Sequence, residues 1–466
     1  MINVESAVRE HEGLIDPRLF TDEDVYRQEM DRIFRHTWLF VGHETSIPNP
    51  GDYIKNYMGE DEVIVNRDVN GQVRVFLNRC AHRGNKVCLF DRGSQKVFTC
   101  TYHGWSYDTT GKLTGQAYAR QAYGESFNRE PWGLEEVPRV SSYGGLIFAS
   151  WDPAIRSLDD YLGDLKPYLD LLLVRDYLGG IEVIPGLGKY IMPTNWKLMA
   201  ENFMGDETHV PITHVSYFKA SMESGVNWWG LGNFEERTIQ LLVNANGSHN
   251  GTAGVPHAFG SIGLWGDPRP DSPFQIQPMI DRGLAQSLGA EAVEWVEERH
   301  RRMQEYIEST GAPKLYGSAN WTIFPNFSML LGFGAFRGTS LIQWHPRGPM
   351  SLEAWQWCAV DKQAPESVKR LAVIHQAADQ GPAGMITIDD TENFERSTDV
   401  LMAGRLHQQE RPFNYTMSGN KDQVYADFRA AGIDLSALPG TALPLLTEET
   451  IRAFYHQHRI LMTSQA

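Results

Sequence analysis

Cysteine is scarce in this chain, with four in 466 residues. That excludes a disulfide scaffold and fits a reducing compartment. A basic excess is missing as well. The 42 Lys and Arg stand against 58 Asp and Glu, a formal charge of −16, so nucleic acid is not the expected partner. The longest aliphatic run, residues 171–174, falls far short of a bilayer span, and residues 1–17 are polar and mixed in charge rather than an apolar leader. Internal repeats and low-complexity tracts are absent too. These absences leave a soluble, cytoplasmic protein with no membrane partner. At 42% hydrophobic residues, its length suits two or three domains with sizeable cores.

Two of the four cysteines stand beside a histidine. Cys80-Ala-His82-Arg83-Gly84 is followed by Cys100-Thr-Tyr-His103-Gly104-Trp105. A Rieske [2Fe–2S] centre needs this donor set: two thiolates on one iron and two imidazoles on the other. A structural zinc site is the alternative. Zinc fingers usually pair their ligands as C-x₂₋₄-C and H-x₃₋₅-H, whereas each half here holds one Cys and one His. Cys88 and Cys358 read as small buried hydrophobes.

Periodicity divides the chain around these motifs. Thr21-Asp-Glu-Asp24 opens a helix signal. Residues 52–78 alternate in strand fashion, with Asn70-Gly71 marking a hairpin. Another strand signal covers 144–151. An all-β domain over 38–155 follows. The remainder, 1–37 and 156–466, reads as helices at 158–172, 285–309, 365–380 and 447–463 and strands at 182–192, 320–344 and 352–360. The Gly-, Asn-, Ser- and Pro-rich segment 247–273 reads as a long loop. The mixed order implies an α+β fold, in which the all-β domain is joined to a catalytic domain of helices on a largely antiparallel sheet.

A second constellation lies downstream. Asn195-Trp-Lys197 leads into Glu201-Asn202-Phe203-Met204-Gly205-Asp206-Glu207-Thr208-His209, then Pro211 and His214. An open non-haem Fe(II) site wants two imidazoles and one carboxylate. His209 and His214 supply the imidazoles, but a five-residue spacing sets them about 140° apart on an ideal helix. A break near Pro211 is required to bring them together. Asp206, three residues before His209, shares its face and suits a carboxylate that orients the ring. The distant carboxylate comes from Asp389-Asp390, which follow Gly381-Pro-Ala-Gly384; these aspartates also fit caps for a helix starting at Thr391.

Together these motifs resemble the large (alpha) subunit of Rieske non-haem iron aromatic ring-hydroxylating dioxygenases, over nearly the whole chain. The resemblance implies a [2Fe–2S] cluster on Cys80, His82, Cys100 and His103, and a mononuclear Fe(II) on His209, His214 and Asp390. It places Asn202 near that iron and gives Asp206 a bridge to His103 of a neighbouring subunit. It implies a ferredoxin or reductase donor, a small beta subunit, and a homotrimer or α3β3 assembly. The implied activity is addition of O2 to an aromatic ring, giving a cis-dihydrodiol, with mono- or polycyclic hydrocarbons favoured. Alternatives are an aromatic carboxylate such as phthalate or salicylate, a Rieske monooxygenase or demethylase, and a non-enzymatic Rieske electron carrier. Two departures from the family pattern, Gln380 and Thr387, bear on pocket shape. Phe203, Val210 and Ile386 are candidates for the pocket wall.

Overall fold

The computed structural model describes the chain except residues 1, 187, 207, 224–237, 245–255, 265–272, 312–314, 332–333, 404–410, 431, 433 and 465–466. Two compact units appear: Phe34–Leu158, and Met1–Ile33 with Asp159–Ala466. Among the described residues no helix is long and apolar enough to cross a membrane.

The Phe34–Leu158 unit is built of three small antiparallel sheets. The largest orders Val73–Leu77, Asp61–Arg67, Asp52–Met58 and Arg92–Ser94. The hairpin expected at Asn70-Gly71 is present, with Arg67 paired to Val73. Buried Asp68 fixes its turn: one carboxylate oxygen accepts the Asn70 and Gln72 amides, and the other accepts from Arg74 at 2.7 Å. A second sheet of Val97–Thr99, Ser106–Asp108 and Leu113–Gly115 follows. Tyr53, Ile64, Phe76, Phe98, Trp105 and Tyr107 form the core beneath both cysteine loops.

The other unit is dominated by a nine-stranded antiparallel sheet. Its centre runs Leu352–Asp361, Thr339–Pro346, Phe327–Leu331, Leu315–Ile323, Pro256–Leu264 and Thr238–Asn244. This matches the mixed α+β expectation. Pro256–Leu264 corrects the reading of 247–273 as one loop. Its small and polar composition hides a strand that neighbours on both sides complete. The helix expected at 285–309 is two, Pro273–Leu288 and Ala290–Thr310, parted at Gly289.

Asn195-Trp196-Lys197 anchors the helix Trp196–Asn202 that enters the second constellation. Asn195 caps it, its side-chain oxygen accepting the Lys197 amide at 2.9 Å, while its amide nitrogen donates to the Phe20 and Pro349 carbonyls. Glu29, fully buried, receives Lys197 Nζ at 2.7 Å, the Trp196 indole at 2.9 Å and His458 at 2.7 Å. Burying these groups is costly, and the bonds offset that cost only while every partner is present. Thr322 then ties the helix to the sheet by donating to the Ala200 carbonyl.

Candidate metal centres

The two cysteine loops repeat one backbone design. Cys80 N–H donates to the Asn85 carbonyl and Gly84 N–H to the Cys80 carbonyl; Cys100 N–H donates to the Trp105 carbonyl and Gly104 N–H to the Cys100 carbonyl, all between 2.8 and 3.0 Å. Each loop closes on a glycine in the left-handed region, at φ 76° for Gly84 and 68° for Gly104, which a Cβ disfavours. Asn78 clamps the first loop. Its carbonyl oxygen accepts the Val87 and Cys88 amides, and its amide donates to Glu62 and to the Cys88 carbonyl. Lys86 is held by Glu62 at 3.1 Å.

Both sulfurs are buried, and both imidazoles are half-buried with ring centres 4.5 Å apart. The His82 ring stacks on Trp105, with its buried Nδ1 lacking a hydrogen-bond partner. An unpartnered buried ring nitrogen is costly, and an iron ligated there satisfies it. Two buried sulfurs with two adjacent imidazoles are the donor set of a two-iron cluster, thiolates on one iron and imidazoles on the other.

Tyr107 hydroxyl accepts the Ala81 amide at 3.1 Å, which turns its own proton toward Cys80 Sγ, also at 3.1 Å. A hydrogen bond to a ligating sulfur stabilises the more negative, reduced cluster. Tyr107→Phe is expected to lower the cluster potential by on the order of 50 mV, the one-electron equivalent of one such bond. Redox titration followed by EPR measures it; an unchanged potential rules out the tuning.

In the larger unit, His209 and His214 bracket the single helical turn Val210–Thr213. Pro211 does not break it, because it occupies the first turn, where the missing N–H costs nothing. The break falls at His214, whose φ −97° and ψ 22° end the turn. The two rings are thereby brought to 5.3 Å between centres. Asp390 closes the set: one carboxylate oxygen lies 3.6 Å from His209 Nε2 and 3.3 Å from His214 Nε2. These three are the donors within 4.8 Å of one another. Three donors of this kind on one side suit a facial iron site with open positions. Asn202, buried, sets its side-chain nitrogen 3.4 Å from His209 Nε2.

His209 turns its other nitrogen, Nδ1, to Asp206, meeting the Asp206 backbone carbonyl in a short contact and the carboxylate at 3.5 Å. Burial disfavours the Asp206 carboxylate, but the His209 ring, the Thr208 hydroxyl and the His209 backbone amide together hold it below the ordinary range.

Asp389 and Asp390 are not helix caps. The helix Met385–Ala403 starts earlier, with both aspartates inside it. Its entry is fixed by Gly381-Pro-Ala-Gly384, where a Cβ on Gly384 would meet the Asp379 and Gln380 backbone at 2.6 Å. The two departures noted in the sequence are coupled, since Thr387 hydroxyl donates to the Gln380 carbonyl. Phe203 lies against Trp344, at 5.2 Å between rings. Glu207 lies outside the described residues, as does most of the 247–273 segment around its strand.

Sequence reasoning gave no partner to Glu201. Its carboxylate is partly buried and bonded by Tyr415 hydroxyl at 3.1 Å and, in a short contact, by Tyr455 hydroxyl. Tyr415 and Tyr455 are 214 and 254 residues away, so no local pattern links them. Burial pushes Glu201 up to about 8 from 4.5, with Asp206 and Glu448 adding to it against the tyrosines. The unfolded chain therefore loses this proton first, so the stabilisation present below pH 4.5 is lost as pH rises toward 8. Glu201→Gln is expected to gain stability over the parent by roughly 3 to 4 kcal/mol more at pH 8 than at pH 5. Denaturant unfolding at both values checks it; equal differences would show that Glu201 does not titrate there.

Comparisons with known proteins agree on both parts. Residues 37–129 match the profile of the Rieske [2Fe-2S] domain. Residues 158–428 match that of the ring hydroxylating alpha subunit catalytic domain. Biphenyl 2,3-dioxygenase subunit alpha of Rhodococcus jostii is 37% identical, over 99% of this chain and 92% of its own. Chlorobenzene dioxygenase subunit alpha of a Cupriavidus species is 36% identical, over 98% and 92%. The crystal structure of naphthalene 1,2-dioxygenase from a Rhodococcus species, bound to indole, superposes with a TM-score of 0.79 at 29% identity, covering 99% of this chain and 98% of that one.

Proposed function

This chain belongs to the alpha-subunit family of Rieske aromatic ring-hydroxylating dioxygenases, and we propose from that premise that it places both atoms of O2 on an unsubstituted edge of a neutral aromatic hydrocarbon, giving a cis-dihydrodiol. Cys80, His82, Cys100 and His103 hold the cluster; His209, His214 and Asp390 hold the mononuclear iron. When bound, the cluster passes single electrons and the iron activates O2 beside the substrate.

The protein's own residues do the rest. The Cys80 and Cys100 loops keep the sulfurs buried and the imidazoles near the surface. Asp206 fixes the His209 ring through Nδ1, leaving Nε2 for metal. Asn202 contributes an amide beside that nitrogen, positioned to meet whatever occupies the open face. By resemblance, Asp206 also bridges to His103 of the partner subunit. Electrons come from a ferredoxin or reductase. Exposed Arg83, Arg92 and Lys96, with exposed Leu89 and Phe90 nearby in sequence, suit an acidic donor with an apolar contact. A small beta subunit and a trimeric or α3β3 assembly in the cytoplasm complete the reading.

The observation that carries a neutral substrate is the state of the buried cations. Among the described residues of the catalytic unit they are Arg175, Lys197, Arg299 and Arg337. Each already closes on a carboxylate at 2.7–2.8 Å: Asp361, Glu29, Asp361 and Asp379. A substrate carboxylate would need a buried cation not already so engaged. The names of the relatives, biphenyl and chlorobenzene dioxygenases, point the same way.

The test is product analysis with isotopic O2, using the reconstituted oxygenase and a panel of biphenyl, benzene, naphthalene, phthalate and salicylate. Expected is a cis-diol from the hydrocarbons with both oxygens from one O2. Turnover confined to the carboxylates overturns the substrate class, and single-oxygen incorporation overturns dioxygenation.

A further inference from the structure

The helix Met385–Ala403 sends two adjacent aspartates to the same imidazole. Asp390 Oδ1 faces His214 Nε2 at 3.3 Å, and Asp389 Oδ2 faces His214 Nδ1 at 3.4 Å. The two nitrogens lie on opposite edges of one ring, so the carboxylates have different surroundings. Asp390 is buried where His209 Nε2 also converges. Asp389 is half-buried on the ring's outer edge, away from that convergence. His209 shows the same division, with Nε2 toward Asp390 and Nδ1 toward Asp206.

A neutral imidazole carries one proton. Ligation through Nε2 requires that proton on Nδ1, and a carboxylate at Nδ1 accepts it, fixing the tautomer and the ring plane and making the ligand more basic. Asp206 supplies that group for His209. Among the described residues, the contact at His214 Nδ1 is the Asp389 carboxylate rather than a backbone carbonyl, so that carboxylate is what orients the ring.

We propose that Asp389 is the positioning residue for His214, the counterpart of Asp206 for His209, and not a ligand itself. This rests on the reading of His209, His214 and Asp390 as the iron site. It explains why two acidic residues stand together at the start of this helix. A single helix turn sets the ligand and its neighbour's orienting group at once, so a rotation of the helix would change both. It also makes Asp389 a determinant of iron affinity without iron contact.

The test is Fe(II) titration of the holoenzyme stripped of its mononuclear iron, with the cluster kept and monitored by its visible absorption. Asp389→Ala is expected to bind Fe(II) about 10- to 100-fold more weakly than the parent. Asp389→Asn, which keeps an acceptor without the charge, is expected to fall between them. The EPR signal of the Fe(II)–nitric oxide complex should change shape in Asp389→Ala, while the thermal unfolding midpoint of the apo chain stays unchanged. Affinity equal to the parent's overturns the positioning role. Complete loss of binding, matching Asp390→Ala, overturns it too, by making Asp389 a ligand. Should the parent bind no Fe(II) beyond the cluster, or Asp390→Ala bind it normally, the iron-site reading fails instead.

Discussion

Asp390→Ala should leave the chain with the cluster's pair of irons and no third, and should lower product formation by at least roughly 10³-fold, the several kcal/mol that a catalytic metal supplies. The expectation comes from convergence. Among the described residues, Asp390 Oδ1 is the carboxylate oxygen that His209 Nε2 and His214 Nε2 both approach, at 3.6 and 3.3 Å. Removing it leaves two neutral imidazoles, whose affinity for Fe(II) is poor without a hard anionic donor. The neighbouring Asp389 does not replace it, because its carboxylate lies on the other edge of the His214 ring. Iron analysis against cluster absorbance measures the outcome. The cluster absorbance should be unaltered, since its four ligands lie in the other compact unit. A variant that retains the third iron would remove Asp390 from the site.

The contrast between the two centres shows what a sequence reveals. The cluster loops are local. Ligand, turn glycine and closing hydrogen bond all fall within six residues, from Cys80 to Asn85 and from Cys100 to Trp105, so spacing alone is informative. The iron donors are not local in the same sense. His209 and His214 are close in sequence but diverge on a regular helix, and only the break at His214 joins them. Nothing in composition locates that break, because Pro211 fits the first turn of the helix it was expected to interrupt. Asp390 is further still, and its helix start at Met385 was obscured by an aspartate pair that resembles a cap. Glu201 is the extreme case, since its partners reach it from two distant segments. The strand Pro256–Leu264 escaped notice for another reason. Its neighbours on both sides supply the pairing that its own residues do not advertise.

Asp206→Ala separates iron binding from electron delivery. Its side chain is one of two groups on His209 Nδ1; the other is its own backbone carbonyl, which the substitution keeps. The tautomer that leaves Nε2 for metal is therefore still favoured, and His214 and Asp390 are untouched. Iron occupancy should stay near the parent's. What disappears is the carboxylate that the family resemblance places between His209 and His103 of the partner subunit. Electron transfer through a hydrogen-bonded contact falls steeply once the contact opens, so single-turnover reoxidation of the reduced cluster, with substrate and O2 present, should slow by at least about 100-fold, which is roughly 2.7 kcal/mol in the barrier. Asp206→Asn keeps a polar group in place and should recover part of the rate. Stopped-flow absorbance of the cluster reports this step directly, and iron analysis of the same sample reports occupancy. Normal single-turnover rates would show that Asp206 carries no bridge. Loss of iron together with rate would show that the carboxylate, and not the backbone carbonyl, holds His209 for the metal.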